Sequence, residues 1–326
     1  MSSNEIQDKS KKLNRLISAA DSIAIFGHQK PDGDCIGSVL GLYNYLIENY
    51  PDKTVEVYTE GFPAPFKILK GAKKVKHEPV KKCFDLGICL DVSDPERMSK
   101  FKDMYLSTIS TVCIDHHVSN SGFGDLCYID ADASSTAEVL TDFMDMDKIS
   151  ESTASCLYLG IVHDTGVFKY SCTSRKTMEV AGMLLEKGVN ASHIIDDTFY
   201  KKTYKQNLLM SKTVLESVLY YNGALIIGYI PKTTFQQFKA TPLDTEGIVE
   251  QLRLTEGVEV AVLAYQINKK TFKLSFRSKD YVNVCEICEG FGGGGHVRAA
   301  GANVTGNIKN IMNEIVDQVG KQLKKK

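Results

Sequence analysis

The chain has 326 residues, enough for two domains each with its own core. Its composition, 43% hydrophobic and 24% charged, is that of an ordinary globular protein. A formal net charge of −1 excludes a strongly basic, nucleic-acid-coating surface, so any nucleic-acid substrate is expected to be short and held in a local pocket. No apolar run approaches about 18 residues, which leaves no expected membrane span. Met1 to Lys12 is polar and offers no apolar secretory core. The nine cysteines lack regular spacing, so reduced thiols in a cytoplasm are expected rather than a disulfide framework.

The first apolar run, residues 22–27, ends at Gly27-His28-Gln29-Lys30-Pro31-Asp32-Gly33-Asp34. An amphipathic helix is predicted from about Ile36 to Asn49, then a strand from Lys53 to Tyr58. Phe84 to Leu90 reads as a strand ending at Asp91, and Thr111 to Ile114 as one ending at Asp115-His116-His117. Helical patterns run from about Ser135 to Met146 and from Ser152 to His163, the latter followed by Asp164. Strands alternating with helices, with near-continuous apolar runs, predict an α/β fold with a parallel sheet covered on both faces. Ligands of such sheets bind beyond the carboxyl ends of the strands, where four of the chemically loaded clusters fall.

Residues 194–221 read as a helical linker between a domain at 1–193 and a smaller α+β domain at 222–326, with an active cleft expected between the two. In the second domain, strand Ala224 to Ile230 and helix Thr233 to Phe238 precede strands Val258 to Gln266 and Thr271 to Phe276, joined through Asn268-Lys269-Lys270. A helix near Val284 to Glu289 leads into a glycine run, and a last helix covers about Ile308 to Leu323. The terminal Lys324-Lys325-Lys326 reads as a solvated end.

Buried carboxylates are costly unless paired or bound to a cation, so their recurrence at strand ends points to metal-assisted phosphoryl chemistry. Taken alone, Pro31-Asp32-Gly33 could be a surface turn, and Asp91 a cap before Ser93-Asp94-Pro95. An aspartate directly before two histidines is harder to read as structural, because it supplies a ligand, an acid and a carboxylate that orients an imidazole. His163 reads as packing or surface, and Cys35 as a small packing residue. Cys285-x-x-Cys288 has no partner pair and fits one helix face better than a zinc site. Gly290 to Gly295 satisfies G-x-G-x-x-G trivially and reads as a loop that lets a nucleotide approach closely. Arg277 weighs between a phosphate ligand and a structural ion pair.

Together these motifs, in this order, resemble the DHH phosphoesterase superfamily across the whole chain. Gly27-His28-x-x-Pro31-Asp32-Gly33-Asp34-x-Ile36-Gly37-Ser38 looks like its first motif and Leu90-Asp91-x-Ser93-Asp94 its second. Asp115-His116-His117 looks like the third and Asp164-Thr165-Gly166-x-Phe168 the fourth. Phe291-Gly292-Gly293-Gly294-Gly295-His296-x-Arg298-Ala299-Ala300-Gly301 resembles the glycine-rich motif of the DHH-associated C-terminal domain.

The resemblance implies two divalent cations, Mn²⁺ first, with Mg²⁺ or Fe²⁺ as alternatives; the histidines favour Mn²⁺ or Fe²⁺ over Mg²⁺. It implies His28 and Asp32 on the first cation, Asp34, His116 and Asp164 on the second, and Asp91 bridging. Asp115 would orient His116, and His117 would contact the scissile phosphate or leaving group. Gly293, Gly294, Gly295, His296, Arg298 and Arg277 would bind the substrate. Within the superfamily, length and lack of spans point to the stand-alone branch that hydrolyses short oligoribonucleotides and 3′-phosphoadenosine-5′-phosphate (pAp). Cleavage of cyclic-di-AMP or linear pApA is the alternative, with an inactive nucleotide sensor behind it. Long nucleic acid and membrane partners are not expected, and a homodimer is left open.

Overall fold

A computed structural model describes residues Ser3 to Lys324, so the last two lysines of the tail lie outside the described residues. The chain forms two compact units that part between Lys201 and Lys202.

In the first unit, α1 (Ser3–Ala19) turns Leu13 and Ile17 onto the core before β1 (Ser22–Phe26). The unit continues through α2 (Gly33–Asn49), β2 (Thr54–Tyr58), β3 (Val75–Lys76) and β4 (Leu86–Leu90). Next come α3 (Lys102–Leu106), β5 (Ser110–Asp115), β6 (Leu126–Ile129), α4 (Thr136–Thr141) and α5 (Glu151–Asp164). Helices α6 (Arg175–Glu186) and α7 (Ala191–Ile195) close it. All six strands are parallel, in the order β3-β2-β1-β4-β5-β6. Strand order reverses between β1 and β4, and a ligand crevice opens at such a switch point. Residues leaving the carboxyl ends of β1, β4 and β5 therefore converge there.

Both faces of this sheet are covered. Ile23, Ile25, Ile88 and Ile114 pack on one side with residues of α1, α2, α4 and α5; Ala24, Phe26, Cys89 and Cys113 pack on the other with Phe101 and Tyr105. Helices α2 and α5 cross closely because Gly37 has no side chain: a Cβ there would lie 2.5 Å from the Cys156 carbonyl oxygen. The predicted helix from Ser135 to Met146 stops at Thr141 instead. The Asp145 carboxylate accepts the Asp147 N–H and starts a separate single turn, so buried Phe143 and Met144 keep their apolar contacts without helical backbone.

The stretch 194–221 is not one helix. α7 passes into a π-turn at Asp196–Tyr200, and α8 (Tyr204–Leu215) begins afresh from a capping box at Thr203 and Gln206. The second unit then runs through β7 (Val218–Tyr220), β8 (Leu225–Ile230), α9 (Lys232–Phe238), α10 (Ile248–Arg253), β9 (Val260–Gln266) and β10 (Thr271–Ser278). It ends with α11 (Val284–Gly290), β11 (Gly294–His296), β12 (Ala299–Thr305) and α12 (Ile308–Leu323). Its mixed sheet has the order β11-β12-β10-β9-β8-β7, with only β8 and β9 parallel. The β9–β10 hairpin turns at Asn268, whose side chain accepts the N–H groups of Lys270 and Thr271. No helix among the described residues is long and apolar enough to cross a membrane.

Candidate active site

Three strand exits at the sheet's carboxyl end, together with the end of α5, bring His28, Asp32, Asp34, Asp91, Asp115, His116, His117 and Asp164 to one place. Asp91 lies at the centre. Its Oδ2 is 3.4 Å from His28 Nε2, while its Oδ1 is 3.7 Å from His116 Nε2 and 3.6 Å from His117 Nδ1. The residue leaves β4 with φ at +60°, a left-handed conformation that costs a non-glycine residue free energy and is tolerated best by Asn and Asp. The strain turns its two oxygens toward two different donor sets.

On one side, His28 Nε2 faces Asp32 Oδ1 at 3.7 Å, and Asp32 also caps α2 by accepting the Cys35 N–H. On the other side, His116 Nε2 stands 3.1 Å from Asp164 Oδ2 and 3.8 Å from Asp34 Oδ2. Asp34 is fully buried and accepts the backbone N–H groups of Thr136 (2.7 Å) and Ala137 (3.0 Å). Thr136 Oγ1 in turn donates to Asp91 at 3.1 Å. These α4 contacts are not legible in sequence: Ser135 followed by Glu138 signals a helix start, but nothing local says which carboxylate the helix meets.

The expected bond from Asp115 to His116 goes to His117 instead: His117 Nδ1 donates to Asp115 Oδ1 at 2.7 Å. Strand β5 ends at Asp115, and beyond it the two imidazoles lie side by side, centroids 4.8 Å apart, both turned toward Asp91 Oδ1. Asn120, which sequence reasoning passed over, donates to the other Asp115 oxygen at 2.7 Å. Cys35 lies near this cluster, but burial pushes its thiol up to about 11 and it packs under Gly27, as a small core residue should.

The charges show what the arrangement accommodates. Burial, then the nearby charges of Asp91 and Asp164, push Asp34 well above the usual carboxylate range, and burial raises Asp164 as well. Burial opposes a charged His116, but Asp164, Asp34 and Asp91 outweigh it and hold the imidazole up to about 10. Burial likewise works against a charged His28, yet Asp32 and Asp91 raise it above its ordinary value. Asp32 is pulled down to about 2 against its own burial by His28, the Cys35 N–H and, more weakly, Arg97. Crowded carboxylates whose mutual repulsion must be relieved by protons are a site shaped for added positive charge. Three sets of three donors have atoms within 4.8 Å of one another: His28 with Cys35 and Asp91, Asp91 with His116 and His117, and Asp34 with His116 and Asp164. Carboxylate oxygens with imidazole nitrogens suit divalent first-row cations.

Residues 22–161 match the family model described as DHH family, N-terminal domain, and residues 222–325 match the DHHA1 domain. The chain is 31% identical over 294 residues to the probable bifunctional oligoribonuclease and PAP phosphatase NrnA of Streptococcus mutans, covering 88% of this chain and 91% of that protein. The chain belongs to the DHH family. It is also 29% identical over 300 residues to the bifunctional oligoribonuclease and PAP phosphatase NrnA of Bacillus subtilis, covering 90% of this chain and 92% of that one. The crystal structure of an exopolyphosphatase-related protein from Bacteroides fragilis is similar with a TM-score of 0.84 at 25% identity, over 97% of this chain and 96% of that chain.

In the DHHA1 domain only Phe291 to Gly293 of the glycine run is a loop, between the end of α11 at Gly290 and a strand. Gly294–His296 forms the edge strand β11, paired antiparallel with β12. Glycine is required here partly by that pairing: a Cβ on Gly293 would lie 2.3 Å from the Gly301 carbonyl oxygen, and one on Gly295, at φ +149°, 2.5 Å from that of Ala299. A Cβ on Gly294 would meet nothing within 4 Å, and Gly294, unlike Gly292 at φ +71°, has no positive φ. Gly293→Ala is therefore expected to destabilise the domain by about 1–3 kcal/mol, and Gly294→Ala by no more than about 0.5 kcal/mol, read as separate melting temperatures.

Arg277 and His296 both sit opposite Ala299, so three strands carry them in one row on one face. Arg298 is partly committed: its guanidinium donates to the Val282 carbonyl at 2.9 Å and to that of Asp280. The N–H groups of that same turn are held by the buried Glu259 carboxylate. Arg277 donates to the carbonyl of Phe276. Cys285 and Cys288 lie on α11, and the Cys285 thiol donates to the Gly295 carbonyl oxygen.

Proposed function

We propose that this DHH-family protein is a phosphoesterase working with two divalent cations, Mn²⁺ first, that hydrolyses short oligoribonucleotides to mononucleotides and pAp to AMP. The observation that carries the reading is Asp91, whose strained backbone presents one oxygen to His28 and the other to His116 and His117. His28 and Asp32 with Asp91 would hold one cation; Asp34, His116 and Asp164 with Asp91 would hold the other. Bound there, the cations would supply a nucleophilic water near neutral pH and neutralise charge on the phosphoryl oxygens. The names of the two NrnA proteins, each matched over nearly its whole length, support the substrate class.

The chain's own residues prepare the leaving group. Asn120 fixes one oxygen of Asp115, and the other accepts the His117 Nδ1–H. The Asp115 carboxylate raises His117 above its ordinary value, so the ring keeps a proton on Nε2 to give to the departing ribose oxygen. Arg277, His296 and Arg298, with Gly293, Gly294 and Gly295, are the phosphate or base binders of the DHHA1 domain. A net charge of −1 supports short substrates, because a polymer needs a long basic track. Nine free cysteines support a reducing, cytoplasmic setting.

One site serving both substrates makes a direct prediction. Excess pAp suppresses dinucleotide cleavage competitively, raising the apparent KM without changing kcat. Undiminished cleavage at saturating pAp would rule out the shared site.

A further inference from the structure

His163 stands in the last turn of α5, next to Asp164, and takes no part in the cluster described above. Its ring is wedged edge-on between Phe66 (centroids 5.0 Å apart) and Phe199 (5.4 Å). His163 Nε2 lies 2.9 Å from Thr198 Oγ1, in the π-turn Asp196–Tyr200. The single Thr198 hydroxyl hydrogen is already given to the Ile194 carbonyl at 2.7 Å, so the imidazole is the donor and carries its proton on Nε2. The opposite edge of the ring rests on Gly33, the residue between Asp32 and Asp34. A Cβ on Gly33 would fall 2.2 Å from His163 Cγ and 2.6 Å from Nδ1. No side chain fits there, and the backbone of the acidic loop bears directly on the imidazole. Burial lowers His163 to about 4, which agrees with a neutral, packed ring.

We propose that His163 is a positioning residue that seats the Asp32-Gly33-Asp34 loop and ties it to the Asp196–Tyr200 turn, so that undoing the Thr198 contact weakens cation binding by that loop. This rests on the cation reading of the site. Partners that orient a ligand from behind typically change metal affinity ten- to a hundredfold when removed, which sets the expected size of the effect. The turn is a π-turn, a local irregularity often found at functional sites, and it lies immediately before the passage from the first unit to the second.

The test measures Mn²⁺ binding to the full-length metal-free protein by electron paramagnetic resonance of the unbound ion, with a melting curve for each variant. Thr198→Val is expected to weaken binding by about tenfold or more, and Thr198→Ser to restore it. Gly33→Ala, which pushes the loop off the ring, should weaken binding at least as much as Thr198→Val. With Thr198→Val, saturating Mn²⁺ should recover most of kcat. A lowered melting temperature with parental Mn²⁺ affinity in both Thr198→Val and Gly33→Ala would leave His163 a packing residue and overturn the proposal. If the parent itself bound no Mn²⁺, the cation reading would fall, and this inference with it.

Discussion

Replacing Asp91 by asparagine is expected to lower hydrolysis by about 10³-fold or more and to abolish the rise in melting temperature that Mn²⁺ produces. Asparagine isolates the charge. It tolerates the left-handed backbone at φ +60°, and its amide oxygen still accepts the Thr136 hydroxyl. What it loses is the negative charge and one of the two oxygens, so the two donor sets no longer share a carboxylate. Cations that stabilise phosphoryl charge contribute several kcal/mol to the barrier, and about 4 kcal/mol corresponds to the loss expected. Circular dichroism should match the parent, because α2, α4 and β4 keep their packing. Activity within tenfold of the parent, with cation still bound, would contradict the bridging role.

The second expectation concerns pH without metal. His116 is held up to about 10 in the fold, against about 6.5 for an unfolded histidine. A raised value means stability that is complete below about pH 6.5 and lost as pH climbs through the folded value. Asp34 and Asp164, also raised, add in the same direction once pH exceeds the ordinary carboxylate range near 4. Asp32 and Asp115 are lowered, and their contribution is lost only toward acid. The metal-free protein should therefore melt at lower temperature as pH rises from about 6.5 toward 10. Bound cations need these same groups deprotonated, so they replace the departing protons. The Mn²⁺-induced gain in melting temperature should be larger by about 4 °C or more at about pH 8 than at about pH 6. Equal gains at both would mean that cations and protons do not compete for these groups.

The fold and site differ in how far they could be read from sequence. The strands β1, β4 and β5 were legible because each is an unbroken apolar run, and the acidic and histidine clusters follow directly on them. Strand β12 was not, because Ala299, Ala300 and Gly301 carry no β-branched or aromatic side chains and pair through backbone alone. For the same reason Gly294–His296 read as a loop. Helix α4 was overextended because Phe143 and Met144 keep apolar spacing beyond the point where Asp145 captures the next turn. Within the site the residues that gather were legible, whereas the pairing of Asp115 with His117 depends on the backbone beyond the end of β5, where no strand alternation fixes it. Asn120 and the α4 N–H groups on Asp34 are brought in by tertiary packing that no local pattern records.

The central claim, a cation-dependent phosphoesterase for short ribonucleotide substrates, is met most directly by measuring turnover of pAp, linear pApA and cyclic-di-AMP in parallel, with Mn²⁺ and with a chelator. The account predicts release of AMP from pAp and of mononucleotides from pApA, little turnover of the cyclic substrate, and none with chelator. Faster turnover of cyclic-di-AMP than of either linear substrate, or hydrolysis that persists in chelator, would contradict it.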